Sequence, residues 1–267
     1  MPAPFARTLV MDSNAAAYCA RSGAVDRIAI NAFVRGVKSL GLWESMVCWP
    51  LRSSQNAGFG DTVYSLGGLG TFNGTRVNGP SWGTDGVTAL GSSSQSIDVA
   101  DNAALRRNST VGLMVVLSTA TTANFTGFSA VLGKSAGGGL ENHNYQLQEN
   151  DATRTVSMVT GDGVSAGTIV TLNVGSDTDK HCIIASAKTG DANKIKKDGG
   201  NIVSQSNALT QLNGASTAPL RFNRNSTFAL GGEYSFGAMF ASDLSDSQMN
   251  ALYFLYRTTL GSGLGLL

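Results

Sequence analysis

The spacing of apolar residues predicts helices near both ends of the chain. Between residues 25 and 42, apolar side chains recur every three or four positions and Gly41 follows as a stop signal, which predicts a helix with one buried face. Near the C-terminus, Ser245-Asp-Ser-Gln248 has the form of a capping box. The apolar residues that follow it on one helical face are Met249, Leu252, Tyr253 and Tyr256. These patterns predict an N-terminal helix and a short C-terminal helix.

Between the two helices the pattern is that of short strands. From residue 96 to residue 241, β-rich runs alternate with turn clusters, and strands do not alternate with helices as in a parallel sheet. Such spacing is typical of an antiparallel β-sandwich or jelly roll. The stretch 53–91 is rich in Gly, Asn and Ser, but its regular apolar residues predict that it packs on the sandwich. We therefore predict a helix plus Gly-rich segment at 1–85 and a sandwich at 86–267.

The charge balance argues against two classes of partner. The chain of 267 residues has a formal net charge of +1, and only 14% of its residues are charged. A near-neutral protein lacks the long-range attraction that drives binding to nucleic acids or anionic membranes. No apolar run approaches the length of about 18 residues that a membrane span needs, and the first ten residues lack the apolar region of a signal peptide. We expect no nucleic acid and no membrane as partners.

The order of elements from about residue 85 to residue 256 resembles that of the concanavalin A-like and laminin-G-like jelly rolls. Each fragment is weak by itself, and the resemblance rests on their succession. The matching stretches are Thr88–Val99, the apolar strand Thr110–Leu117, His181–Ala187 followed by Lys194–Gly199, and the strand and helix Gly231–Tyr253. The resemblance implies a mainly β, concanavalin A-like antiparallel sandwich.

A second resemblance concerns about residues 16–91. A helix with Ala29-Ile-Asn-Ala-Phe-Val-Arg-Gly-Val-Lys38, then Gly41-Leu-Trp43 and a strand before a Gly-rich passage, is similar to segments that precede jelly rolls in tailed-bacteriophage virion proteins. It implies a non-enzymatic structural subunit, made in the bacterial cytoplasm and located in the virion as capsid decoration, head fibre or tail-associated protein. The implied partners are the major capsid or tail protein, other copies of the chain in a homo-oligomer, expected to be a trimer, and a host surface glycan.

The acidic residues do not form the active site of the jelly-roll glucanases. Those enzymes place an acid and a nucleophile on one strand, about 5–5.5 Å apart, so that one carboxyl group protonates the leaving oxygen and the other attacks the same sugar. The chain has four glutamates, none in a Glu-x-Asp-x-Glu set, and the pair Glu149 and Asp151 lies in a run that reads as a turn. The prediction is therefore of a protein that is not an enzyme. The alternative is a stand-alone carbohydrate-binding module or a laminarinase-like glycoside hydrolase.

Two kinds of ligand site remain as candidates. Asp162, Asp177 and Asp179 offer oxygen ligands for calcium, which laminin-G-like domains often bind, but Ca²⁺ takes six to eight ligands and turn-capping aspartates are commoner. We predict no cofactor, with calcium as a weak candidate. Glycan binding needs exposed aromatic rings beside polar groups, and the candidates in this sequence are Trp82, Tyr145 and Tyr234.

Overall fold

The structure, a computed structural model, describes residues 10–118, 128–135, 139–150, 153–175, 179–224 and 230–266. In these ranges the chain forms three α-helices and two antiparallel β-sheets, which confirms the predicted mainly β sandwich with an N-terminal and a C-terminal helix. The helices are α1 (Ser13–Ser22), α2 (Arg27–Ser39) and α3 (Asp246–Thr258). None of the described helices has both the length and the apolar character to cross a membrane.

Each sheet contains eight strands. The strands are β1 (Met46–Pro50), β2 (Thr62–Val63), β3 (Gly74–Val77), β4 (Ser81–Trp82), β5 (Val87–Ala89), β6 (Ser96–Val99), β7 (Thr110–Ser118), β8 (Phe128–Ser135), β9 (His143–Asn150), β10 (Thr155–Thr160), β11 (Val170–Asn173), β12 (His181–Lys188), β13 (Ala192–Lys197), β14 (Val203–Ser206), β15 (Leu220–Phe222) and β16 (Gly232–Phe240). Sheet A has the order β14-β13-β12-β7-β16-β5-β4, with β1 also paired to β16. Sheet B has the order β11-β10-β9-β8-β15-β6-β3-β2.

The central strands of sheet A, β12, β7 and β16, are buried on both faces. On β7, Leu113 and Val115 point into the core between the two sheets, whereas Met114 and Val116 point into a second core beneath the helices. Successive strand residues face opposite sides, so a strand buried on both faces is apolar at nearly every position. This explains the unbroken apolar run of β7. The molecule therefore has three layers: helices, sheet A and sheet B.

The helical layer docks through side chains that recur at helical spacing. On α2, Phe33 is fully buried and its ring lies 5.5 Å from that of Phe236 on β16, edge to face. The helix begins at Arg27 and not at residue 25, and Val25 and Ile28 are exposed, which corrects the predicted apolar face at its first turn. The predicted capping box of α3 is confirmed, with Ser245 and Gln248 capping each other.

The part of the chain that precedes residue 85 supplies strands to both sheets. Strand β1 pairs with the second half of β16, β2 and β3 extend sheet B beyond β6, and β4 extends sheet A beyond β5. The domain boundary at residue 85 stays a prediction. The strands that precede it are hydrogen-bonded to strands of the sandwich and belong to its two sheets. Because β2 and β4 end their sheets, this segment forms one lateral edge of the molecule.

Candidate functional site

Two of the three predicted glycan-binding aromatic residues lie in the core. Tyr145 and Tyr234 are at most 1% exposed, and both face the space between the sheets. Their hydroxyl groups donate to the carbonyl oxygen of Leu105, at 2.8 Å, and to Oδ1 of Asn223, at 3.0 Å. Burial raises the pKa of both phenols. A buried ring cannot stack on a sugar, so the prediction for these two residues is wrong.

Trp82, the third candidate, lies at the surface. It is on β4, the last strand of sheet A, where one side of the indole packs on the core and the rest is partly exposed. Its Nε1–H donates to the carbonyl oxygen of Gly60 at 3.1 Å. The guanidinium carbon of Arg76 lies 5.7 Å from the ring centroid, a cation–π distance. The indole is therefore held in one orientation.

Arg76 connects three pieces of chain around Trp82. From β3, its Nε donates to the carbonyl oxygen of Gly60 at 2.8 Å, Nη2 lies 3.1 Å from Oδ1 of Asp61, and Nη1 donates to the carbonyl oxygen of Pro80. The planar guanidinium can make such bonds at fixed angles to several acceptors at once. Arg76 thereby fixes the turn before β2 against the last strand of sheet A.

An exposed phenylalanine completes this surface. Phe59 is 78% exposed, one residue before the carbonyl that accepts from Trp82, and the side chain of Asp61 is 72% exposed. We call Phe59, Asp61, Arg76 and Trp82 the edge cluster. Sequence reasoning missed Phe59, because it was expected to be packed. The only signal for its exposure was its position between Gly58 and Gly60 in a turn. Aromatic faces beside a carboxylate suit a ligand with both C–H and hydroxyl surfaces.

The predicted calcium ligands are not brought together. Asp162 lies between β10 and β11, Asp179 lies between β11 and β12, and Asp177 lies outside the described residues. Oδ1 of Asp162 accepts from the backbone N–H groups of Val164, at 2.8 Å, and Ser165, at 2.6 Å, and these bonds lower the pKa of the carboxyl. The described part of the chain contains no group of three or more His, Cys, Asp or Glu side chains placed to hold a metal ion.

The carboxylate considered for glycoside hydrolysis is also inside the protein. Glu149 has no exposed surface, and its Oε1 lies 3.6 Å from Nη1 of Arg154. It faces the same space between the sheets as Val156, its partner on β10. Asp151 lies outside the described residues. A carboxylate in this position cannot reach a polysaccharide chain.

Comparison with solved structures identifies the architecture. The binding domain of botulinum neurotoxin serotype D has a TM-score of 0.57 and 12% identity, over 80% of this chain and 52% of the other. The fold is shared with receptor-binding domains. A structure concerning the cell entry of botulinum neurotoxin type C through two ganglioside molecules scores 0.57 at 10% identity, over 81% of this chain and 52% of the other. The binding domain of botulinum neurotoxin DC in complex with rat synaptotagmin II has a TM-score of 0.52 and 10% identity, over 77% of this chain and 51% of the other.

These likenesses show the fold alone, because the identities are low and the chain spans about half the length of the structures it matches. None of the three is a bacteriophage protein. No family model matches the chain, and no curated protein sequence matches it.

Proposed function

We propose that this chain is a non-enzymatic binding domain that recognises carbohydrate on a cell surface through the edge cluster. The observation that carries the proposal is the hydrogen bond from partly exposed Trp82 to Gly60, which lies between exposed Phe59 and the exposed carboxylate of Asp61. Structural similarity to the toxin binding domains, one of them from work on two gangliosides, supports a binding role on this fold by analogy. The carbohydrate-binding alternative is thus favoured over the virion role as the primary function.

The edge cluster is organised before any ligand arrives. Arg76 and Trp82 both bond to the carbonyl oxygen of Gly60, which fixes the backbone between Phe59 and Asp61. A surface that is already ordered loses less conformational entropy on binding than a mobile loop does. Because Arg76 makes several bonds within the protein, its role is to position the neighbouring groups. The ligand contacts fall to Trp82, Phe59 and the free side of Asp61.

A glycan array with the purified chain, followed by calorimetry on the best hit, tests this proposal. Trp82→Ala and Phe59→Ala should each weaken binding by about tenfold or more, since aromatic residues in an ordered contact are typical binding hot spots. Phe254→Ala is the matched control, because this phenylalanine is 55% exposed but lies on α3, in the helical layer. Loss of affinity in the control equal to that in Trp82→Ala, or an array without hits, would overturn the proposal.

A role as a virion structural subunit is the second candidate. It rests on the sequence resemblance of residues 16–91 and on the exposed apolar side chains Val25 and Ile28 at the start of α2, which are 75% and 72% exposed. Isolated apolar residues at a surface are common, but in an assembly these would meet a neighbouring copy or the major capsid or tail protein. Mass photometry should then show a trimer, and the chain should be found in purified virions. A monomer that does not associate with phage particles contradicts this role.

A further inference from the structure

A cleft opens at the edge of the sandwich opposite the edge cluster. It lies between the loop that joins β10 to β11 and the loop that follows β14. Strands β11 and β14 are the end strands of sheet B and sheet A on the side away from β2 and β4. Its volume is about 330 Å³, within the range of small-molecule sites in proteins. The lining residues are Asp162, Ser165, Ala166, Gly167, Thr168, Ala208, Leu209 and Thr210. We call this the rim cleft.

One carboxylate in the rim cleft is held in a fixed orientation. Oδ1 of Asp162 is occupied by the N–H groups of Val164 and Ser165, in a turn that requires the left-handed conformation of Gly163, with φ +96°. Oδ2 accepts no hydrogen bond from the described residues and remains available to a ligand. Because the bonds to Oδ1 lower the pKa of this carboxyl, it is ionised at neutral pH.

Buried amide side chains set the distance between the two walls. Nδ2 of Asn193 donates to the carbonyl oxygen of Thr168 on one wall, at 2.6 Å, and Oδ1 of Asn193 accepts from Nδ2 of Asn207 at 3.0 Å. On the other wall, the N–H of Leu209 donates to Oδ1 of Asn207 at 3.2 Å. Asn193 and Asn207 are at most 1% exposed. Hydrogen-bonded buried amides are costly to disrupt, so the cleft keeps its width without a ligand.

We propose that the rim cleft binds a neutral mono- or disaccharide, whose hydroxyl groups donate to Oδ2 of Asp162. The hydroxyls of Ser165, Thr168 and Thr210, which have no partner among the described residues, supply further donors and acceptors. The carboxylate of Asp162 disfavours an anionic ligand. A metal ion is disfavoured because Asp162 is the one acidic side chain among the described residues that line the cleft. This site extends the proposed function but does not require the edge cluster to bind.

The experiment is a titration of the full ¹⁵N-labelled chain with methyl glycosides of glucose, galactose, mannose and N-acetylglucosamine, followed by NMR. The amides of Val164 and Ser165 report on the cleft directly, because they donate to Asp162. We expect their signals to shift with at least one glycoside. Asp162→Asn should weaken that binding by about tenfold or more, and Thr210→Val should weaken it to a smaller degree. Asp246→Asn is the control, since this carboxylate is exposed on α3, paired with Lys194, and should leave the affinity unchanged.

Trp82→Ala separates this proposal from the proposed function. If the edge cluster does not bind carbohydrate but the rim cleft does, Trp82→Ala binds the glycoside like the wild type and Asp162→Asn still loses binding of the glycoside at the cleft. The rim-cleft proposal is overturned if the Val164 and Ser165 signals do not respond to any glycoside, or if Asp162→Asn binds as tightly as the wild type. It is also overturned if CaCl₂ alone shifts these signals and the glycosides do not, which would indicate a cation site.

Discussion

Phe33 is the residue through which α2 makes its main aromatic contact with sheet A. Its side chain is fully buried, and it meets Phe236 edge to face, while the other neighbour of Phe236 is Tyr256 of α3, at 4.8 Å between ring centroids. Replacing Phe33 by Ala removes the ring at the α2 end of this stack and leaves one face of Phe236 without its aromatic partner. Neither Phe236 nor Tyr256 can fill the space without leaving contacts of its own, so a cavity is expected between helix and sheet.

The size of the effect follows from the loss of buried area and the cavity. Phe→Ala substitutions in protein cores cost about 3–5 kcal/mol in the free energy of unfolding. This includes about 0.5–1.5 kcal/mol for the aromatic pair with Phe236. Since single domains have a total of about 5–15 kcal/mol, Phe33→Ala should remove a large fraction of the stability. Urea unfolding followed by circular dichroism and by tryptophan fluorescence measures it.

Ile28→Ala is the matched control on the same helix. Ile28 is 72% exposed, and Ala has a higher helix propensity, so the free energy of unfolding should change by less than about 0.5 kcal/mol. Equal effects of the two substitutions would refute the docking of α2 through Phe33. The urea unfolding curve could instead show two separate transitions, with Phe33→Ala lowering the midpoint of the first alone. That result would refute a joint core of the helices and sheet A and would support an N-terminal unit that unfolds by itself.

Two further predictions concern stability. Hydrogen bonds from Arg106 and Lys134 hold the pKa of the Asp101 carboxyl at about 2, so its stabilising effect is present above about pH 4 and is lost as the pH falls toward 2. The difference in free energy of unfolding between wild type and Asp101→Asn should shrink over that interval, and a constant difference would contradict the pairing. Ser245→Ala removes the capping box of α3 and should cost about 1 kcal/mol in urea unfolding, whereas Ser247→Ala, as control, should cost less. Equal losses in the free energy of unfolding for the two variants would show that the capping box does not stabilise α3.

The sequence by itself determined the class of fold and the ends of several elements. Alternating and unbroken apolar runs predicted strands, and the capping box at Ser245 predicted where α3 begins, because these signals are local and depend on the period of the backbone. It also excluded a glucanase motif, since that motif is a spacing of residues along one strand. Of the three aromatic residues predicted to be exposed, the structure places only Trp82 partly at the surface, so the sequence could not tell it from the two that are buried.

Only the tertiary structure decided which polar and aromatic groups meet. A strand pattern shows that Tyr145 and Glu149 share a face but not that the face is the inner one, because pairing with distant strands sets the register. The contact of Arg76 with Trp82 depends on two sheets ending at the same edge. The rim cleft likewise depends on Asn193 joining loops that are about 40 residues apart in the chain. Contacts between separate elements are fixed by packing and hydrogen bonding in three dimensions, and no local period encodes them.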